Sequence, residues 1–138
     1  MSEENKAIIR RYLEEAWNQG RIEALDEAFA EDAVPHTAGI TDLEGLKQGL
    51  ARNLNAFPDI HIALDDELAV GDKVIVRFTI SGTHQGEILG IPATGKEISF
   101  SGITIYRLAG GKIVEFWTQA DTMGMMQQIG ALPVPGQG

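Results

Sequence analysis

The spacing of apolar residues changes character halfway along the chain. Across residues 4–18, Ile8, Ile9, Tyr12, Leu13, Ala16 and Trp17 recur on one helical face, with Arg11, Glu14 and Glu15 opposite. This predicts an amphipathic helix stopped by Asn18-Gln19-Gly20, with Gly20 as its C-terminal cap. A second, shorter helix follows, with Ile22, Leu25, Ala28 and Phe29 facing inward. Its pattern fades around Glu31-Asp32, and Pro35 prevents continuation. Thr41-Asp42-Leu43-Glu44 reads as a capping box, with Thr41 as cap and Glu44 three residues on. It opens a third helix whose stripe is Leu43, Leu46, Leu50 and Leu54, ending before Pro58.

Beyond Pro58 the period drops to two. Ile60, Ile62 and Leu64 alternate with polar residues, which turns His61 outward. Val74, Val76, Phe78 and Ile80 alternate again after the turn residues Gly71-Asp72. From Ile98 to Leu108, Ser99, Ser101, Ile103 and Ile105 share one side of a strand, and Phe100, Gly102, Thr104 and Tyr106 share the other. Ala109-Gly110-Gly111-Lys112 is a hairpin turn into a last strand, Ile113 to Ala120. No helix opens after Gly110-Gly111-Lys112, so it is not a phosphate loop. The Gly- and Pro-rich loop from Gly86 to Gly95 crosses the surface, and the tail after Pro133 is expected to be loose. Three helices followed by a four-stranded antiparallel meander predict an α+β fold in a single domain, residues 1–138.

Composition narrows the classes of function. An apolar fraction of 43% supports a true core. No apolar run is long enough to span a membrane. The polar start, Met1-Ser2-Glu3-Glu4-Asn5-Lys6, lacks the basic and apolar regions of a secretory signal, so a cytoplasmic location is expected. With no cysteine, the chain has no disulfide, thiol nucleophile or Cys-ligated metal. The net charge of -9, with 11 scattered basic residues, argues against nucleic acid as a partner.

The carboxylate that stands out is Asp121. Strict alternation places Ile113, Trp117, Gln119 and Asp121 on one face, beside a large apolar ring. A carboxylate held there is expected to titrate above its ordinary value and to move protons near neutral pH. The same residue is also a preferred N-cap for a helix starting at Thr122. Three histidines are present, His36, His61 and His84, but none are paired at a metal-binding spacing, and no metal is expected. Met123, Met125 and Met126 read as adaptable packing that helps close one end of a pocket.

The combined motifs resemble SnoaL-like polyketide cyclases. The resemblance rests on Ser81-Gly82-Thr83-His84-Gln85-Gly86 continuing through Pro92 to Gly95, and on Gly111-Lys112-Ile113-Val114-Glu115 followed by Trp117 and Asp121. Gln127-Gln128-Ile129-Gly130, Tyr12, Trp17-Asn18 and the stretch from Asp32 to His36 add to it, so that it covers roughly residues 5 to 135. It implies the cone of nuclear transport factor 2, a curved antiparallel sheet wrapped around N-terminal helices, paired as a homodimer. It also implies ring closure by an intramolecular aldol condensation, without metal or cofactor, on an aspartate that matches Asp121. The chain departs from the pattern on the strand before that aspartate. Thr104 and Gly102 stand where the family's cyclases carry a His and a Gln, and Gln119 replaces a Trp.

Such chemistry needs a donor for the developing enolate, and Thr104, Gln119 and His84 are the polar candidates. Trp117 is expected as core or pocket wall, or as a ligand contact. His84 serves a structural hydrogen bond or the pocket, and His36 is placed to line the cone mouth. Two functions stand against each other. One is a cofactor-free enzyme acting on a hydrophobic carbonyl compound, by cyclisation first and by isomerisation or dehydration next, with epoxide hydrolysis ranked lower. The other is a non-catalytic module that binds an apolar ligand or a partner protein. A homodimer paired through the face of Ser99, Ser101, Ile103 and Ile105 is expected.

Overall fold

Ile9, Leu13 and Ala16 are fully or almost fully buried along one stripe, and they fix the first helix, α1 (Ser2–Tyr12), which continues as a wider π-helical segment, Leu13–Asn18. The segment ends in the hydrogen bond from the Gln19 N–H to the Glu14 carbonyl, five residues back. Gly20 then takes φ +71, the left-handed exit expected of a helix stop. A short helix, α2 (Ala24–Ala28), buries Ala24, Leu25 and Ala28. The third helix, α3 (Leu43–Ala56), is capped one residue later than the sequence pattern suggests. Asp42, not Thr41, is its N-cap, and the Asp42 carboxylate accepts from the Gly45 N–H at 2.8 Å.

The strands are β1 (Phe29–His36), β2 (His61–Val70), β3 (Lys73–Thr83), β4 (Glu97–Ala109) and β5 (Lys112–Ala120), followed by a last helix, α4 (Thr122–Gln128). They form one curved five-stranded sheet in the order β1-β5-β4-β3-β2. The meander β2 to β5 is antiparallel as expected. The fifth strand, β1, was not: it runs parallel to β5, pairing Val34 with Glu115 and His36 with Trp117. Only Phe29 and Ala33 of β1 are buried, while Glu31, Asp32 and Pro35 mark it as an edge strand. Its polar residues conceal a period-two signal, and Phe29, read as the last inward residue of the second helix, is the first residue of the sheet. Gly110 and Gly111, at φ +59 and +80, make the tight hairpin between β4 and β5.

Two side-chain amides pin helices to free strand backbone. Asn18 accepts from the Ile62 N–H at 2.8 Å and donates to the Ile62 carbonyl at 3.2 Å, docking the end of the first helix on edge strand β2. Gln128 does the same at Ser99, accepting at 2.7 Å and donating at 2.8 Å, where β4 runs past the end of β5. Asp59 closes the β2 entry: it accepts from the Thr83 hydroxyl and N–H at 2.8 and 2.7 Å, and these bonds hold its carboxyl below the usual range. The structure describes residues 2–132 of this computed structural model, so the tail expected to be loose lies outside the described residues. No helix among the described residues is long and apolar enough to cross a membrane.

Candidate functional site

Alternation along β3, β4 and β5 sends one set of side chains to the concave face in rows across the strands. Ile80 pairs with Phe100; Phe78 with Gly102 and, beyond it, Ala120; Val76 with Thr104 and Thr118; Val74 with Tyr106 and Phe116. The α1 segment, α3 and α4 lie over these rows but do not fill the space. A chamber of about 270 Å³ remains. Tyr12, Leu13 and Trp17 line it from the first helix, and Leu46, Gly49, Leu50 and Asn53 from α3. Thr122 and Met125 line it from α4. Aromatic rings close one end: Tyr12 meets Phe29 edge-on at 5.0 Å, and Phe29 meets Phe116 at 5.6 Å.

The chamber wall is apolar, with a few hydroxyls held in place. Thr104 is buried, at 3% exposure, and a buried hydroxyl without a partner costs about 1–3 kcal/mol. Thr118, opposite it on β5, satisfies it at 3.0 Å. The Tyr106 phenol is a further hydrogen-bond partner of Thr104, so three hydroxyls share two hydrogen bonds and one proton of the set is left over. The Tyr12 hydroxyl accepts from the Trp17 indole N–H at 3.4 Å. Burial pushes the Tyr12 phenol up to about 12, and the contact with Trp17 opposes this only in part. Burial, then the neighbouring Tyr12, pushes the Tyr106 phenol well above its usual value, against the pull of Thr104. Both phenols are therefore neutral donors at physiological pH. They suit an oxygen that gains negative charge, not proton abstraction.

A β-bulge decides where the predicted residues lie. Leu108 pairs with Ile113, but Arg107 pairs with Glu115, leaving Val114 as an extra residue in β5. Alternation slips by one at that point. Ile113 stays inside, fully buried, and Phe116, Thr118 and Ala120 follow it inward. Trp117, Gln119 and Asp121 do share a face, as expected, but it is the outer one. The expected seclusion of Asp121 from water is therefore not found. Asp121 is exposed, and its Oδ1 accepts from the Gly124 N–H at 2.9 Å as the N-cap of α4. It borders a shallow outer groove with Gln119, Arg77, Ser101 and Ile103.

Of the six predicted site residues, only Thr104 lines the chamber. His36 and Trp117 meet on the outer face, stacked at 5.0 Å with a 5° angle between rings. His36 also contacts the Glu115 carboxylate at 2.7 Å, and Arg107 reaches the same carboxylate at 2.9 Å. These two partners, His36 first, hold the Glu115 carboxyl below its usual range. His84 is fully buried beneath its loop, against Phe57. Its Nδ1 receives the Thr94 N–H at 3.3 Å and meets the Thr94 hydroxyl at 2.9 Å, so it holds the ends of the Gly86–Gly95 loop together. His61 is exposed, as alternation predicts. No group of three or more His, Asp or Glu side chains among the described residues is placed to hold a metal ion.

Thr118, Asn53, Thr122 and the Tyr106 phenol are chamber residues that sequence reasoning did not single out, and Tyr12 was marked there only as a helix-face and motif residue. Thr118 was detectable only through the bulge. Asn53 continues the Leu46, Leu50 stripe at helical spacing and was the polar interruption to notice.

A profile of SnoaL-like polyketide cyclases matches residues 7–129. The aklanonic acid methyl ester cyclase DauD of Streptomyces sp. (strain C5) is 26% identical over 129 residues, covering 89% of this chain and 80% of DauD. AclR, a proposed hydroxylase from Streptomyces galilaeus, superposes with a TM-score of 0.90 at 28% identity, over 99% of this chain and 87% of AclR. IdmH, a proposed polyketide cyclase from Streptomyces antibioticus, superposes with a TM-score of 0.79 at 34% identity, over 91% and 98% of the two chains.

Proposed function

Since the chain belongs to the SnoaL-like polyketide cyclase family, we propose that it is a cofactor-independent cyclase that closes a ring within a hydrophobic, carbonyl-bearing small molecule. The observation that carries this reading is the chamber itself: an apolar cavity of about 270 Å³ with a hydrogen-bonded hydroxyl pair, Thr104 and Thr118, on its wall. Apolar walls with a few placed polar groups suit a ligand of the same character. Small carbonyl compounds such as the aklanonic acid methyl ester of the DauD name are the substrate class to try first.

The reaction we assign is an intramolecular aldol closure. A base takes a proton from a carbon beside a carbonyl. The freed electron pair attacks a second carbonyl carbon of the same molecule, one carbon–carbon bond forms, and the carbonyl π pair moves to oxygen. That oxygen takes up the proton, so the formula of the molecule is unchanged. The Thr104–Thr118 pair donates one hydrogen bond to the enolate oxygen, and Asp121 carries the proton. No carboxylate or imidazole lines the chamber among the described residues, but the two neighbours of Asp121, Ala120 and Thr122, both do. This reading requires the Asp121 side chain to leave its cap on Gly124 and turn toward that rim. The chamber geometry alone also suits a binding module, because the carboxylate in its capping position faces away. The experiment that separates the two is conversion of the ester by the purified protein, against its recovery unchanged.

The protomers pair through the outer sheet face in this reading. Ile103 is 47% exposed there, opposite Gln119 and on the same face as the His36–Trp117 stack, and in a two-fold dimer such a patch meets its own copy. Sedimentation at micromolar concentration should give a dimer, and Ile103→Lys should give a monomer. A wild-type protein that sediments as a monomer contradicts the pairing.

A further inference from the structure

Gly102 sits in the middle of the concave row formed with Phe78 and Ala120. A Cβ at that position would lie 2.6 Å from the Phe78 Cζ, 2.8 Å from the Gln119 carbonyl oxygen and 2.9 Å from the Ala120 Cβ. The phenyl ring therefore lies across the glycine, in space that any other residue would occupy. The chamber lining reflects this: Phe78 contributes to it and Gly102 does not. Phe78 lines the chamber although it is only 5% exposed.

We propose that Phe78 and Gly102 act together as the specificity determinant of the chamber, with the ring laid down over the glycine as a platform that selects a flat ring system over a puckered one of the same size. This rests on the chamber being the substrate site. A phenyl group standing up from the sheet would divide the cavity, whereas one laid along the sheet leaves a smooth floor on which a planar ligand stacks. The hydroxyl pair Thr104–Thr118 is the next row, two residues along β4 from Gly102 and so about 7 Å away. A ligand stacked on Phe78 presents to the hydroxyls an oxygen on the adjoining ring or on a substituent, not one on the stacked ring.

The test is calorimetric binding of two ketones of matched skeleton, planar 2-acetylnaphthalene and its saturated counterpart 2-acetyldecalin. The wild-type protein should prefer the planar ketone. Phe78→Leu should weaken 2-acetylnaphthalene by up to about tenfold, as loss of an aromatic contact implies, and leave 2-acetyldecalin as tight or tighter. Gly102→Ala, which lifts the ring, should erode the same preference. Phe78→Met fills more of the volume and serves as the second variant if Phe78→Leu does not fold. Equal weakening of both ketones, or an unchanged preference, overturns the proposal while leaving the chamber as the binding site. Failure of the wild-type protein to bind either ketone overturns the chamber reading, and the platform with it.

Discussion

Asp121→Asn is expected to lower turnover by about 10²–10⁴-fold, the range general acid–base catalysis contributes, while leaving the fold intact. The substitution is informative because Asp121 has two roles to separate. In the structure it caps α4 through the Gly124 N–H. Asn and Asp are comparable N-caps, so Asn keeps the helix start and removes only the group that exchanges a proton. Asp121→Ala removes both and should also cost about 0.5–2 kcal/mol of stability. Three patterns are then distinguishable by melting curves and initial rates. Loss of rate without loss of stability in the Asn variant assigns catalysis to the carboxylate. Full rate in Asn with lower stability in Ala assigns it to capping alone. Full rate in both variants removes it from the mechanism.

The second large effect is expected at the hydroxyl pair. Thr104→Val and Thr118→Val nearly keep the side-chain shape and take away the hydroxyl. If the pair stabilises the enolate oxygen, each substitution should lower kcat by about 10²-fold, at the lower end for loss of an oxyanion donor. The two hydroxyls are bonded to each other at 3.0 Å, so each single change also releases its partner from a fixed orientation. The double variant should therefore be little worse than the worse single one, as groups acting as a unit are not additive. The double variant should also cost about 1–3 kcal/mol of stability, because the buried Tyr106 phenol loses Thr104 as its partner. A rise in KM with kcat unchanged would instead make the pair a ligand anchor with no part in the chemical step.

The sequence pattern reached the fold where long, regular periods exist. The stripe of the first helix and the alternation of β3 and β4 translate directly into buried rows, and Phe100, Gly102, Thr104 and Tyr106 do share the concave face. What escaped was local. β1 is an edge strand with two buried side chains and a proline, so its tertiary pairing with β5, not its own residues, defines it. Asp42 wins the α3 cap over Thr41, because both are good caps one residue apart and the choice depends on backbone geometry. The site suffered most from one inserted residue. Val114 bulges, alternation slips, and the expected wall of Trp117 and Gln119 becomes outer surface, while Thr118 turns in. A bulge has no reliable sequence mark, so a face assigned from residues on one side of it does not carry to the other. The family motifs survive this slip because they depend on identity and order, not on facing.

The measurement that most directly tests the central claim is chromatography with mass detection of aklanonic acid methyl ester after incubation with the purified protein in a chelator, with no added cofactor. The account predicts a new species of unchanged mass that accumulates with wild-type protein and not with Asp121→Asn. Ester that binds to the protein and is recovered unchanged, alongside equally inert carbonyl analogues that fit the chamber, would contradict it and make the chamber a binding site without chemistry.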